Sequence, residues 1–115
     1  MMTANEYQQL ALRTEPQFVK RSGLMGRITQ GALGLTGEAG EVADLVKKHA
    51  FQGHELDCSH MAKELGDVAW YLAVSADAIG YTLEEIFEMN VAKLKARYPQ
   101  GFEADKSVNR AEGDV

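Results

Sequence analysis

Apolar residues recur every three or four positions along most of this chain, the spacing that places side chains on one face of an α-helix. Alternation with a period of two, typical of a half-buried strand, is rare. The two prolines, which interrupt helices, stand near the ends of the sequence at Pro16 and Pro99. The sequence therefore predicts an all-α, four-helix bundle-like fold. The stripes expected to form its core are Leu35, Ala39, Val42 and Val46; Met61, Leu65, Val68 and Leu72; and Phe87, Val91, Leu94 and Tyr98.

Helix boundaries are predicted from prolines, glycines and capping residues. The first helix is expected over Thr3–Arg13, followed by a connection in which Gly23 and Gly26 act as helix breakers. Thr82, with Glu85 three residues later, forms a capping box at the start of the fourth helix. The remaining expected elements are a second helix from Arg27 to Phe51, a third from Leu56 or Asp57 to Gly80, a fourth from Thr82 to about Tyr98, and a loosely held polar tail over 103–115.

Length and composition suit one globular domain, since 115 residues with 45% hydrophobic content can bury a single core. We expect this domain to occupy residues 1–102. No apolar run is long enough to span a bilayer and the N-terminal residues do not resemble a secretion signal, so a cytoplasmic location without a membrane partner is expected. The single cysteine, Cys58, excludes an intrachain disulfide. A net charge of −5 without a basic block argues against a nucleic acid polymer as partner.

Two segments, "GEAGEVADLV" and "KELGDVAWYL", carry the same acid-x-x-acid pattern. Glu38 and Glu41 in the first correspond to Glu64 and Asp67 in the second. Acids three residues apart lie on one side of a helix, and each pair flanks an apolar stripe. Four carboxylates from two packed helices would form an oxygen cage for a hard cation such as Mg²⁺ or Mn²⁺. The alternative is a pair of solvated helix surfaces, the usual meaning of a single such motif, but two copies in register favour the metal site.

Each acid pair also encloses a glycine, Gly40 in the first segment and Gly66 in the second. A glycine inside a helix costs roughly 1 kcal/mol relative to alanine. We therefore expect close backbone approach at these two positions to compensate, with simple tolerance as the alternative.

The fourth helix carries Asn90, Lys93 and Arg97 at spacings of three and four, so the three side chains form one strip. If this strip faces the acids, it would supply phosphate-binding groups opposite the metal-binding oxygens. The alternative for Lys93 and Arg97 is compensation of the helix dipole near a C-terminus.

Three stretches, "GLTGEAGEVADLVKK", "KELGDVAWYL" and "NVAKLKARYPQGF", resemble the MazG-like branch of the all-α nucleoside-triphosphate pyrophosphohydrolases. The family pattern is E-x-x-E followed on the next helix by E-x-x-D. The resemblance implies hydrolysis of (deoxy)nucleoside triphosphates between the α- and β-phosphates, releasing a monophosphate and pyrophosphate. Many members have a further Glu where this chain has Gly37, which leaves the number of metals and the general base open. The implied site comprises Glu38, Glu41, Glu64 and Asp67 on Mg²⁺, with Asn90, Lys93 and Arg97 towards the triphosphate.

Other roles follow less directly. Glu38 or Glu41 is expected to orient or deprotonate the attacking water. Tyr71 is a candidate for a base pocket, although core packing is its simpler role, and Trp70 is expected in a helix or subunit contact. The tail segment "KSVNR" resembles the tails of family members, so Ser107, Asn109 and Arg110 are candidate phosphate contacts, with a disordered polar tail as the alternative.

The small size of the chain and the family resemblance both indicate a homodimer or homotetramer, with nucleotide-pool housekeeping as the implied role. The competing interpretation is a non-catalytic helical module, either a metal-stabilised oligomer or a nucleotide-binding regulator. A phosphohydrolase that removes only the terminal phosphate is a third. Reaction products distinguish all three.

Overall fold

The computed structural model describes residues 1–115, and its regular elements are all helices, which confirms the predicted all-α class. Residues 1–83 and 84–115 form two compact units. None of the helices is both long and apolar enough to cross a membrane. The helices are α1 (Ala4–Leu12), α2 (Gln17–Arg21), α3 (Gly23–Phe51), α4 (Cys58–Ala78), α5 (Leu83–Arg97) and α6 (Ala104–Val108).

The ends of the long helices lie close to their predicted positions because local capping groups set them. The Thr3 hydroxyl accepts a hydrogen bond from the Glu6 amide at 3.1 Å, and Asp57 accepts one from the His60 amide at 2.9 Å. Beyond the C-termini of α3 and α4, Gly53 and Gly80 adopt φ values of +74° and +87°. Only glycine takes this left-handed conformation readily, so both residues end their helices.

The predicted irregular connection between the first helix and the long helix α3 is wrong. Pro16 has φ −61° and precedes the short helix α2, because a proline is already set for the start of a helix. The long helix α3 begins at Gly23 rather than Arg27, and the φ of +84° at Gly23 redirects the chain between the two helices. Gly26 lies inside α3, where an added Cβ would collide with the Ser22 side chain.

The core of residues 1–83 is smaller than the predicted stripes. Its main contact is the packing of α3 on α4, and α1 packs on α4 as well. Many stripe residues, including Val46 and Leu65, stay exposed in the single chain. Two long helices bury only the faces they turn towards each other, so burial of these positions in a core completed by association stays a prediction. The buried apolar residues are Ala11, Val19, Ala73, Val74, Ala76 and Leu83.

Two buried polar groups hold the N-terminal helices in place. Gln8 is 2% exposed; its amide nitrogen donates to the carbonyl oxygens of Ala73 and Tyr81, and its oxygen accepts from the Leu83 amide, each at 3.1 Å. A satisfied buried amide of this kind ties α1 to α4 and to the connection that follows it. The second group is an ion triad in which Arg27 contacts Glu15 and Asp77, joining the α1–α2 connection to α3 and α4.

The segment 84–115 contains most of α5, a turn and α6. The rings of Tyr98 and Phe102 pack at 5.3 Å, and Gly101 between them has φ +90°. After α6, the chain returns to α5 through an ion pair between Asp114 and Arg97. The tail, expected to be loosely held, contains α6 and this ion pair. The domain boundary at residue 102 stays a prediction.

Candidate active site

Three of the four predicted metal ligands come together where α3 packs on α4. One carboxylate oxygen each from Glu38, Glu64 and Asp67 lies within 4.8 Å of the other two. Glu38 and Glu64 are half-buried, whereas Asp67 is exposed. The acid-x-x-acid motifs therefore meet across a helix–helix contact, as the repeated pattern suggested.

Two glycines one or two turns before Glu38 bring the helices close together. The ring of Tyr71 occupies the space of a Cβ at Gly34, and the Ser75 side chain does the same at Gly31. These two contacts show that α3 and α4 run in opposite directions, since the later glycine of α3 meets the earlier residue of α4. One turn further along α3 and one turn earlier on α4, Glu38 therefore lies opposite Asp67. Close packing at the glycines thus positions the carboxylates.

The expected close approach at Gly40 and Gly66 is wrong. Neither position has any atom within 4 Å of where a Cβ would stand. Both glycines face open space in the single chain, while the glycines that allow contact are Gly31 and Gly34. An apolar-stripe pattern shows which side of a helix is buried, but it does not show where along that side a neighbour comes closest.

Crowding of negative charge dominates the electrostatics of the carboxylate group. The pKa of Glu38 is raised above its usual range, first by burial and then by a hydrogen bond with Glu64. The charges of Asp67, Glu64 and Glu41 raise the pKa further. Adjacent carboxylates disfavour the charged form of Glu38, and a bound cation would relieve this repulsion.

Glu41 differs from the other three acids. It is exposed and lies outside the group of converging oxygens, although its charge reaches Glu38. One turn further along α3, Asp44 forms ion pairs with Lys47 and Lys48. The prediction that Glu41 binds metal is not tested by this geometry, and its position beside the carboxylate group leaves its oxygens available for another role.

The three converging residues fit a hard divalent cation. Mg²⁺ takes oxygen ligands at about 2.1 Å, so ligands on opposite sides lie about 4.2 Å apart. Neighbouring ligands lie about 3 Å apart, so three oxygens already within 4.8 Å of one another reach these separations by small side-chain adjustments. A cation would also replace the proton that the Glu38–Glu64 hydrogen bond requires, which removes the repulsion.

Two neighbours of the carboxylates were not assigned a role from the sequence. The Nε2 atom of His60 lies 3.0 Å from Glu64 Oε1, one turn earlier on α4, a spacing that could have identified it. The Tyr7 hydroxyl donates to the Gly66 carbonyl at 3.5 Å. Burial, and then the charge of Asp67, raise the pKa of Tyr7. No local signal points to Tyr7, because it arrives from α1.

Tyr71 and Trp70 lie in helix contacts. Their rings pack edge to face at 4.9 Å, and Tyr71 also covers Gly34. The Trp70 indole donates at 2.7 Å to the hydroxyl of Thr14, which lies in the connection after α1, and a helix or subunit contact of Trp70 stays a prediction. Core packing accounts for Tyr71, and its place in a base pocket stays a prediction.

The predicted phosphate-binding residues all lie in the segment 84–115. Lys93 and Arg97 line a cavity of about 540 Å³ together with Lys106 and Asn109 from the tail. Asn90 and Arg110 are exposed and Ser107 is half-buried, and none of these three lines the cavity. Contact of these residues with phosphate stays a prediction.

Comparison with known proteins places this arrangement in a family. A family model for the MazG nucleotide pyrophosphohydrolase domain matches residues 29–102, which include the three converging carboxylates and the basic strip of α5. The chain is also 34% identical over 82 residues to the Gene 37 protein of Mycobacterium phage L5, covering 68% of this chain and 72% of the phage protein. No solved structure matches.

Proposed function

Because this chain belongs to the MazG nucleotide pyrophosphohydrolase domain family, we propose that it hydrolyses (deoxy)nucleoside triphosphates to the monophosphate and pyrophosphate in a Mg²⁺-dependent reaction. The observation that carries the proposal is the convergence of Glu38, Glu64 and Asp67 within 4.8 Å. An acidic chain of this kind repels a triphosphate unless a cation reverses the local charge. A nucleotide-pool housekeeping role in the cytoplasm accords with this activity.

Glu38, Glu64 and Asp67 would hold the Mg²⁺, with Mn²⁺ as a substitute. The cation supplies charge neutralisation for the phosphates and a more acidic water. Glu41 lies beside these ligands without belonging to their group, so its carboxylate would either join them on the metal or orient and deprotonate the attacking water. The charge of Glu38 contributes to the same step. The contact with His60 restrains the Glu64 side chain.

The residues proposed to bind phosphate are the amide of Asn90 and the cations of Lys93 and Arg97. Lysine and arginine stabilise the charge that develops on a leaving pyrophosphate, and arginine can bind two phosphate oxygens at once. The position of Lys93 and Arg97 in the lining of one cavity, beside Lys106, supports the assignment of these two cations. Tail residues with the same proposed role are Ser107, Asn109 and Arg110.

We also propose that the chain works as a homodimer or homotetramer. Phe18, Met25 and Leu33 border one cavity of about 550 Å³ on α2 and α3, and they are 69%, 69% and 70% exposed. Large apolar side chains clustered in this way are typical of a protein contact surface. A second copy would bury what the single chain leaves exposed.

The decisive experiment is product analysis with a panel of nucleoside and deoxynucleoside triphosphates, with and without Mg²⁺. The proposal predicts monophosphate and pyrophosphate in equal amounts, and only with the metal. Diphosphate and inorganic phosphate would instead show cleavage of the terminal bond. Metal-dependent stability without any product would show a non-catalytic helical module.

A matched pair of variants connects this activity to the carboxylates. Asp67→Asn removes one charge from the converging group and is expected to lower kcat/KM about 100-fold or more, since metal stabilisation of the transition state is several kcal/mol. Asp44→Asn removes the same charge from a lysine-paired carboxylate on α3 and should retain activity. Equal activity of the two variants would show that the reaction does not use Asp67.

A further inference from the structure

The C-terminal segment folds back so that the Asp114 carboxylate pairs with the Arg97 guanidinium. Arg97 Nε donates to Asp114 Oδ2 and Arg97 Nη2 donates to Asp114 Oδ1, both at 2.7 Å. The two side chains are 9% and 15% exposed, so this is a largely shielded pair and not a solvated surface contact. Two parallel hydrogen bonds of this kind are also how arginine binds a phosphate group.

A tight turn in the sequence "AEGDV" delivers this carboxylate. The Asp114 amide donates to the Ala111 carbonyl at 3.1 Å, which closes a four-residue turn. Gly113, at the third position of the turn, has φ +84°, a conformation that residues other than glycine adopt at a cost. A Cβ at Gly113 would meet nothing within 4 Å, so the turn requires glycine for its backbone conformation alone.

The ion pair lies in a cavity whose chemistry suits a larger anion. The cavity of about 540 Å³ is lined by the cations Lys93, Arg97 and Lys106, and its size is typical of small-molecule sites. Lys93 and Arg97 stand one helical turn apart, about 6 Å along the axis. That spacing suits two linked phosphoryl groups better than a single carboxylate. The pKa of Asp114 is lowered by its hydrogen bonds to Arg97 and by the charges of Arg97, Arg110 and Lys93, so it is ionised at neutral pH.

We propose that Asp114 is an internal anion that occupies Arg97 in the free protein, and that a diphosphate group displaces it to bind Arg97, Lys93 and Lys106. Asp114 carries one negative charge, whereas inorganic pyrophosphate carries about three at neutral pH and can contact several cations at once. Displacement therefore depends on an anion with at least two phosphoryl groups. The choice of diphosphate rests on the proposed function, but the competition between Asp114 and an added anion does not.

Three variants of the full chain separate displacement from a general charge effect. Asp114→Asn removes the competing charge. Gly113→Ala leaves every charge in place but strains the turn that positions Asp114. Glu112→Gln is the matched control, because Glu112 lines the same cavity and carries the same charge. Calorimetric titration with inorganic pyrophosphate, without metal or nucleotide, measures the affinity of each variant.

The proposal predicts that Asp114→Asn binds pyrophosphate about tenfold more tightly than the natural chain, the change expected if the ion pair is closed about nine-tenths of the time. Gly113→Ala should shift the affinity in the same direction, while Glu112→Gln changes it less than about twofold, as expected for a solvated charge. Titration with inorganic phosphate should show weaker binding and a smaller difference between variants.

Other outcomes of the pyrophosphate titration overturn the proposal. Equal gains for Asp114→Asn and Glu112→Gln would show a non-specific charge effect, and weaker binding by Asp114→Asn would show that Asp114 builds the cavity rather than blocks it. No pyrophosphate binding by any variant would show that the cavity is not an anion site. Tighter binding by Asp114→Asn in a chain that hydrolyses no nucleotide would overturn the proposed function and leave this inference intact.

Discussion

At the scale of single residues, the electrostatic surroundings of Glu38 oppose its ionisation. Burial and three neighbouring carboxylates all disfavour its charged form, and its pKa lies above the ordinary value of 4.5. A group whose pKa is higher in the folded than in the unfolded state adds stability at low pH. That stability is lost as the pH rises through the folded pKa. Without metal, ionised Glu38 therefore destabilises the protein at neutral pH.

Replacing this carboxylate should raise stability while removing metal binding. We expect Glu38→Gln without metal to have a higher Tm than the natural chain at neutral pH, with the difference shrinking below the ordinary pKa of Glu. The rise in Tm on adding Mg²⁺ should be largely lost. Thermal unfolding across pH measures both effects, and Glu55→Gln, an exposed acid in the α3–α4 connection, is the control. A lower Tm at neutral pH, or an unchanged response to Mg²⁺, would contradict the assignment of Glu38.

Gln8 shows how one polar residue can hold a helix in place. Gln8→Ala would leave the Leu83 amide and the Tyr81 carbonyl without their buried partner. Such a loss costs about 1–3 kcal/mol for each unsatisfied group. We expect urea unfolding to show a destabilisation of this size, whereas Gln9→Ala, at an exposed position on the same helix, should change the free energy of unfolding little. Similar effects for the two variants would mean that the Gln8 contacts contribute nothing net.

At the scale of helices, the contact between α3 and α4 determines the geometry of the site. Gly31 and Gly34 let Ser75 and Tyr71 approach the backbone of α3. The carboxylates lie at the next turn along the same contact, so a change in helix separation at the glycines also changes the distances between the acid oxygens. Packing and metal binding are coupled for this reason.

Two alanine substitutions on the same helix should therefore have opposite effects. Gly34→Ala places a methyl group where the Tyr71 ring lies, and overpacking of this kind costs about 1–3 kcal/mol. Gly40→Ala meets nothing within 4 Å and should stabilise the chain by up to about 1 kcal/mol, the difference in helix propensity. Chemical denaturation measures both variants.

The cause of the Gly34 effect can be checked in a Tyr71→Ala background. There the methyl group has space, so Gly34→Ala should lose most of its cost. A cost that persists without the Tyr71 ring would indicate a backbone effect rather than a steric one.

At the scale of the whole molecule, the exposed apolar side chains predict self-association. The group Phe18, Met25 and Leu33 is expected to lie in a contact between copies. Light scattering should show a dimer or tetramer for the natural chain and a shift towards monomer for Leu33→Glu, because the contact would bury an unpaired charge. Phe51→Glu is the control, since Phe51 is 84% exposed at the end of α3 and outside this group. A monomeric natural chain would refute the oligomer, and an unchanged mass for Leu33→Glu would place the contact elsewhere.

The sequence by itself determined the helical class, most helix ends and the two acid pairs, because periodicity and capping act over a few residues. Thr3, Asp57 and Gly80 could be recognised without knowing what lies beside them. The family resemblance likewise depended on local motifs, and it identified the carboxylates of α3 and α4 as the candidate site.

Only the tertiary structure decided which of these groups meet. It separated Glu41 from the converging acids, moved the close helix approach from Gly40 to Gly34, and joined Arg97 to Asp114. Each result depends on the rotation and register of one segment against another. Such long-range geometry comes from the packing of many side chains together, and no spacing within a single helix encodes it.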